Sequence, residues 1–325
     1  MKLMLDIKIR EPEVKIDYRD KILIVGSCFT EHIGDSLQTL KFDVLQNPNG
    51  IIFDPLTTSS SLISYIENRE YTASDLIFLN ELWQSWQHHS RFSGVDQAEV
   101  LHNINHSQQQ AHAFLKEAKW LIVTLGTSYS YRLEQQRHVA NCHRAPASWF
   151  DKYMLRTDET VAALDTCIYR LFQFNKDLRI VFTVSPVRHV RDGVVENNRS
   201  KARLIEAVHH LADKFDRISY FPAYELVIDV LRDYRFYDID LVHPNYQATS
   251  FVIEQFMRHF VNDASFHLSK EIEKIVIARK HKAFQPTTDA HKRFLQMHAA
   301  KASSLMAAHP YLDLSGELAY FSGAL

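Results

Sequence analysis

KILIVGSCFTEHIG, residues 21–34, changes character at Gly26. Before it stands a short run of branched apolar residues, of the length and kind of a buried strand; after it a helix begins. A strand that stops at a glycine and turns directly into a helix aims backbone N–H groups and the positive end of a dipole at whatever occupies the joint. Ser27 and Cys28 occupy it. A thiol at such a place is expected to ionise more readily than a free one.

The same alternation continues outward from this stretch. KILIVG (21–26), FDVLQ (42–46), WLIVTL (120–125), RIVFTV (179–184) and RISYF (217–221) read as strands, rich in Val, Ile and aromatics. Between them, SLISYIENR (61–69), HSQQQAHAFLKEA (106–118), TVAALDTCIYRLFQF (160–174) and SKARLIEAVHHLADKF (200–215) carry apolar residues at helical spacing. In the last of these Ala202, Ile205, Val208, Leu211 and Ala212 form the expected buried stripe. Strands alternating with helices predict a parallel sheet with helices on both faces, a three-layer α/β/α domain, with ligands bound beyond the carboxyl ends of the strands. Functional residues should therefore follow strands.

YRLEQQRHVA (131–140) reads as a hairpin excursion after the third strand. Beyond about residue 265 the pattern becomes helical and basic, with Gln285-Pro286 as a break. The expected organisation is one domain over residues 1–265 and a helical extension over 266–325. Ile275, Phe284, Phe294, Leu295 and Leu305 need cover, so the extension should dock on the domain. No internal repeat or low-complexity linker interrupts the chain.

At 325 residues the chain can bury a large core without disulfides or metals. Hydrophobic residues make up 46% and charged residues 23%, which excludes the disordered class. A formal net charge of −2 argues against nucleic acid or an anionic membrane as the main partner. The first sixteen residues are interrupted by charges and lack the apolar stretch of a signal peptide, and no apolar run reaches membrane-span length. Cys28, Cys142 and Cys167 are an odd number without framework spacing, as suits a reducing compartment, and the expected location is cytoplasmic.

The chain has only eight glycines, so their positions are informative. Gly26, Gly50 and Gly126 each fall after a strand, where a backbone N–H can approach a ligand; as isolated features they are also ordinary turn glycines. Late in the sheet region, YDIDLVHPN (237–245) sets Asp240 and His243 three apart in a loop closed by a proline. The carboxylate there can hold one imidazole nitrogen while the other faces a substrate.

A glycine and nucleophile after the first strand, a glycine after the second, a glycine loop after the third and a late D-x-x-H resemble the block order of the SGNH (GDSL-like) hydrolases. More closely, the chain resembles the GSCFA-domain family, named for the motif present as GSCFT (26–30). NPNGIIFDP (47–55), WQHHSRFS (86–93), TLGTSY (124–129), NCHRAP (141–146), SPVRH (185–189), SKARL (200–204) and RFYDIDLVHPN (235–245) carry that resemblance. It implies the flavodoxin-like SGNH fold and a nucleophile, His243 and Asp240 acting together. The superfamily register, with the serine two residues after the glycine, puts Cys28 in the nucleophile's place; a shift of one residue would make it Ser27. Where the superfamily offers an asparagine after the third-block glycine, this chain has Thr127 and Ser128. An oxyanion hole would then use the N–H groups of Cys28 and Gly50, with Thr127, Ser128 or Asn49 supplying a side chain.

His88, His89, His143 and His189, with Cys142, lack the spacing of a metal site, and no metal or cofactor is expected. His89, His143 and Arg188 match family motifs near the expected cleft and are assigned to substrate binding. Cys167, inside an amphipathic helix, reads as core. The expected function is an esterase or acyltransferase acting on an O-acylated small molecule or carbohydrate. The rival is a carbohydrate- or ligand-binding protein that keeps the fold without turnover.

Overall fold

Along residues 21–26 successive side chains point to opposite faces, and both faces are covered. The structure, a computed structural model, describes residues 4–133 and 138–323. Its strands, in chain order, are β1 (Lys21–Gly26), β2 (Asp43–Gln46), β3 (Ile77–Leu79), β4 (Leu82–Gln84), β5 (Trp120–Leu125), β6 (Tyr129–Leu133), β7 (His138–Val139), β8 (Phe150–Met154), β9 (Arg179–Val184) and β10 (Ile218–Tyr220). The helices are α1 (Cys28–Thr39), α2 (Pro55–Glu67), α3 (Gln97–Glu117), α4 (Thr157–Phe174), α5 (Val194–Lys214), the single turn α6 (Ala223–Glu225), α7 (Tyr246–Phe260), α8 (Asp263–Lys280), α9 (Asp289–Ala308) and α10 (Ser315–Phe321).

Five strands form one parallel sheet in the order β10-β9-β5-β1-β2. Counted along the chain, the parallel strands lie 2-1-3-4-5, the flavodoxin-like winding, and the order reverses between β1 and β5. Ile22 and Ile24 of β1 and Ile122 of β5 pack with Phe29, Ile33 and Leu37 of α1 and with Val252, Phe256 and Phe260 of α7. On the other face Leu23, Val25, Leu121, Val123 and Leu125 meet Leu62 of α2, Leu115 of α3, Ile168 and Leu171 of α4 and Leu204 of α5. Cys167 is fully buried there, as its helical position predicts. The domain is thus a three-layer α/β/α sandwich.

The helices start earlier than their apolar stripes because polar caps set their first turns. Asp54 accepts N–H groups from Leu56 and Thr57 with Pro55 at the first helical position, so α2 begins at Pro55. Asp96 accepts the Glu99 N–H at 2.8 Å and starts α3. On α5 the buried stripe is Asn197, Ser200, Lys201, Leu204, Ala207, Val208 and Leu211; it keeps Val208 and Leu211 of the expected stripe, while Lys201 and Leu204 take the places expected for Ala202 and Ile205. Ala202, expected inside, is exposed.

The excursion after β5 contains the antiparallel pair β6–β7, and β8 adds a third strand on the other edge of β6 that the sequence pattern did not signal. The turn of that hairpin, residues 134–137, lies outside the described residues. The C-terminal helices dock as expected: Ile272, Ile275, Ala302, Leu312, Leu314 and Phe321 are buried in the α1/α7 core, and Phe294, Leu295 and Leu305 pack against it. Phe284 does not; it is 94% exposed in the connection between α8 and α9, beside the Pro286 break. Among the described residues no helix is long and apolar enough to cross a membrane.

Candidate functional site

β1 ends at Gly26 and α1 starts at Cys28, so Ser27 is the N-cap. The turn is tight enough to need glycine. Gly26 has φ +141, and a Cβ there would lie 2.3 Å from the Thr124 carbonyl oxygen. Ser27 is 4% exposed, its N–H donates to Thr124 O at 3.1 Å, and its Oγ is buried without a hydrogen-bond partner. Cys28, one residue on, is half-buried and a free thiol. Of the two candidate nucleophiles, the thiol is the more accessible.

The expected ease of ionisation at Cys28 is not what the environment provides. Burial pushes the thiol up from its ordinary value, and Glu31 on the first turn of α1 adds to this. The N–H groups of Phe29 and of Cys28 itself, and the charge of Lys201, pull the other way without overcoming it. The helix N-terminus acts with the expected sign and is outweighed by desolvation.

The glycine N–H groups expected to face a ligand are used inside the protein. The Gly26 N–H donates to Asn47 Oδ1 at 2.9 Å, the Gly50 N–H to Asn47 O at 2.7 Å, and the Gly126 N–H to Phe53 O at 2.8 Å. Gly50 is a glycine for another reason: φ is +82, and a Cβ would sit 2.1 Å from the His89 Cβ. Two residues past Asn47, Asn49 is 2% exposed, and neither atom of its side-chain amide has a partner. It is the expected side-chain donor whose amide is uncommitted.

Thr127 and Ser128 are committed. The Ser200 hydroxyl on α5 stands 3.0 Å from Thr127 Oγ1 and 3.1 Å from Ser128 Oγ, and accepts the Ser128 N–H at 2.7 Å. They close the joint between the β5 end and α5.

Asp240 and His243 are held in a loop built on itself. Leu241 takes a left-handed backbone, φ +58, which lets its N–H reach Asp238 O at 2.9 Å while the Asp238 N–H reaches His243 O at 2.8 Å. His243 Nδ1 and Asp240 Oδ2 are 2.6 Å apart, both side chains about half exposed. Hydrogen bonds from His243 drop the Asp240 carboxyl to about 2. Arg188, expected at the substrate, ties this loop to the end of β9. Its N–H and guanidinium donate to Val242 O and Leu241 O at 3.3 Å, and the guanidinium lies 4.4 Å from the centre of the Tyr237 ring.

His143 and His89 differ in their surroundings. His143 is 6% exposed with Nε2 2.7 Å from Ser85 O, a brace in the wall beneath Trp86. His89 is half-buried against Gly50, its N–H donating to Asn49 O at 2.9 Å. Among the described residues no group of three or more His, Cys, Asp or Glu side chains could hold a metal ion. A groove between α4 and α5, lined by Arg156, Asp165, Arg203 and Lys214 among others, contains none of the expected site residues.

The residue that sequence reading missed is Lys201. It is 1% exposed, and its Nζ donates to Gly126 O and to Ser185 O, each at 2.6 Å. Burial brings its amine down to about 7, and Cys28 is the charge partner that pulls it back up. His189, tilted on Phe53 with ring centres 5.3 Å apart, is pushed down to about 4, first by burial and then by the charges of Lys201, Lys152 and His243. Cys28, Lys201, His189 and His243 thus feel one another in succession across the carboxyl ends of β1, β5 and β9. The signal available in the sequence was that Asn197, Ser200 and Lys201 continue the Leu204–Leu211 stripe at helical spacing.

The family model for the GSCFA family matches residues 21–256, and that for the C-terminal domain of GSCFA domain proteins matches residues 272–325. The chain therefore belongs to the GSCFA family. No curated protein matches it.

Proposed function

We propose that this member of the GSCFA family is an SGNH-type acyl hydrolase or acyltransferase acting on an O-acylated small molecule or carbohydrate. The observation that carries the reading is the Asp240–His243 pair, ordered at 2.6 Å in a loop pinned to the end of β9, at the same end of the sheet as a half-buried thiol on a helix N-terminus. Cys28 Sγ attacks the acyl carbon, or Ser27 Oγ if the register is shifted. His243 takes the nucleophile's proton and delivers it to the leaving alcohol, and Asp240 orients the imidazole. The N–H groups at the start of α1 and the Asn49 amide are the donors for the oxyanion. Water, deprotonated by His243, then releases the acyl group; a second alcohol in its place gives transfer. These steps use side chains and solvent only, and they suit a reducing compartment such as the cytoplasm, where the three free cysteines stay thiols.

The second reading, a binding protein without turnover, is favoured by Thr127 and Ser128, whose hydroxyls meet Ser200 where the superfamily keeps a free asparagine. A panel of short-chain acyl esters and O-acetylated sugars separates the two. The enzyme reading predicts hydrolysis that falls at least a hundredfold in His243→Ala. Heat of binding to the sugars, with no hydrolysis above the His243→Ala background, would replace it with the binding reading.

A further inference from the structure

Lys201 has no role in the reading above, yet it is the most costly side chain in the site to bury. A lysine this buried normally has a carboxylate beside it. Lys201 is satisfied by two main-chain carbonyls, Gly126 O and Ser185 O, which leave its positive charge uncompensated.

The strand register shows where that charge sits. Gly26 pairs with Thr124 and Leu125 with Val184, so Gly126 and Ser185 lie just past the strand ends, level with the Ser27-Cys28 turn. Ser200, the residue before Lys201, is fixed to Thr127 and Ser128, which sets the first buried turns of α5 against this joint. The charged and titratable groups around the pair come from each neighbouring element: Glu31 from α1, His189 from the end of β9, and Tyr224 from α6, whose ring centre lies 6.0 Å from Nζ. Glu31 disfavours a thiolate at Cys28, and Lys201 favours it.

We propose that Lys201 is a positioning residue whose ammonium charge is the counter-ion against which Cys28 ionises. The inference rests on the acyl-transfer reading for its use, but not for its test. The Cys28 proton passes to His243, and Lys201 keeps its own proton. The thiolate adds to the acyl carbon, the ester C–O bond breaks, and the alcohol oxygen takes the proton from His243, leaving a thioester. A water proton goes to His243 as the hydroxyl adds to the thioester carbon, and the C–S bond breaks to restore the thiolate facing Lys201. While it keeps its proton, below about pH 7, the lysine supplies charge and exchanges nothing. By reciprocity, a thiolate at Cys28 holds the proton on Lys201.

The test measures the pH dependence of iodoacetamide labelling at the Cys28 peptide in wild type, Lys201→Met and Lys201→Arg. No substrate is needed, so absence of any esterase activity would end the acyl-transfer reading and leave this result standing. Lys201→Met should slow labelling about tenfold at pH 6, where Lys201 carries its charge, while Lys201→Arg should stay within about threefold of wild type there. A Lys201→Met profile that superimposes on wild type overturns the proposal. Should Lys201→Met fail to fold, the wild-type profile alone reads the coupling: as Lys201 loses its charge above pH 7, the labelling rate should climb less than tenfold per pH unit, and a strict tenfold rise per unit from pH 5.5 to 8.5 overturns the proposal equally.

Discussion

Asp240 grips His243 at two points: Oδ2 lies 2.6 Å from the imidazole Nδ1, and Oδ1 accepts the His243 main-chain N–H at 3.0 Å. An ionised carboxylate only accepts, so Nδ1 carries the hydrogen and Nε2 is left as the free base. The Val242 N–H also reaches Oδ1, at 2.9 Å, so the same carboxylate shapes the loop and fixes the tautomer.

Asp240→Asn keeps an oxygen for the two N–H groups but places an amide against Nδ1 in one of its orientations. Ester turnover should fall by about a hundredfold to ten-thousandfold with little change in melting temperature. Because the Asp240 carboxyl titrates at about 2 in the fold, its contribution is complete above the ordinary aspartate value and is lost only as pH falls through about 2. Activity lost between pH 7 and 5 should therefore come from a group other than Asp240. A kcat–pH profile of wild type and variant checks both statements.

Two histidines are kept neutral by burial, His88 at about 3 and His189 at about 4. In the unfolded chain both bind a proton near 6.5, so between pH 6.5 and 4 the unfolded state holds more protons and stability falls as pH falls. The slope from the pair is about 2.7 kcal/mol per pH unit in the middle of that window. Urea melts at pH 7, 6 and 5 measure it, and His88→Phe should remove about half.

Lys201 carries the opposite kind of pH signature. Its amine is brought to about 7 in the fold against an ordinary 10.5, so wild type should gain stability relative to Lys201→Met as pH rises from 7 to 8.5. The expected slope is about 1.4 kcal/mol per pH unit. Denaturant midpoints of both proteins at three pH values in that range are the measurement, and a pH-independent difference would contradict a lowered lysine.

Gly26 and Gly50 should tolerate no side chain, the first because of the Thr124 carbonyl and the second because of His89 and its own φ of +82. Gly50→Ala is expected to cost about 1–3 kcal/mol, whereas Gly193→Ala, with φ +88 in open space, should cost about 1 kcal/mol from backbone strain alone. Gly26→Ala should cost more than either, since backbone must move to admit it. Chemical denaturation ranks the three.

The sheet was legible because strands buried on both faces write continuous apolar runs: β1, β5 and β9 start and stop where Lys21–Gly26, Trp120–Leu125 and Arg179–Val184 do. The pairing of Asp240 with His243 was legible because the two residues are three apart in one loop. Lys201 was not, since a buried lysine looks like a surface residue until its neighbours at Gly126 and Ser185, which lie 75 and 16 residues away in sequence, are folded around it. The direction of the Cys28 shift was missed for the same reason. A helix N-terminus is written locally, whereas desolvation is a property of the packed site.

Mass spectrometry of the Cys28 peptide after brief exposure to p-nitrophenyl acetate distinguishes the two candidate nucleophiles. If Cys28 is the acylated nucleophile, that peptide should carry one acetyl group, released by neutral hydroxylamine as a thioester is, present in Ser27→Ala and absent in Cys28→Ala. An acetyl group that persists in Cys28→Ala and disappears in Ser27→Ala would contradict it and make Ser27 the catalytic group.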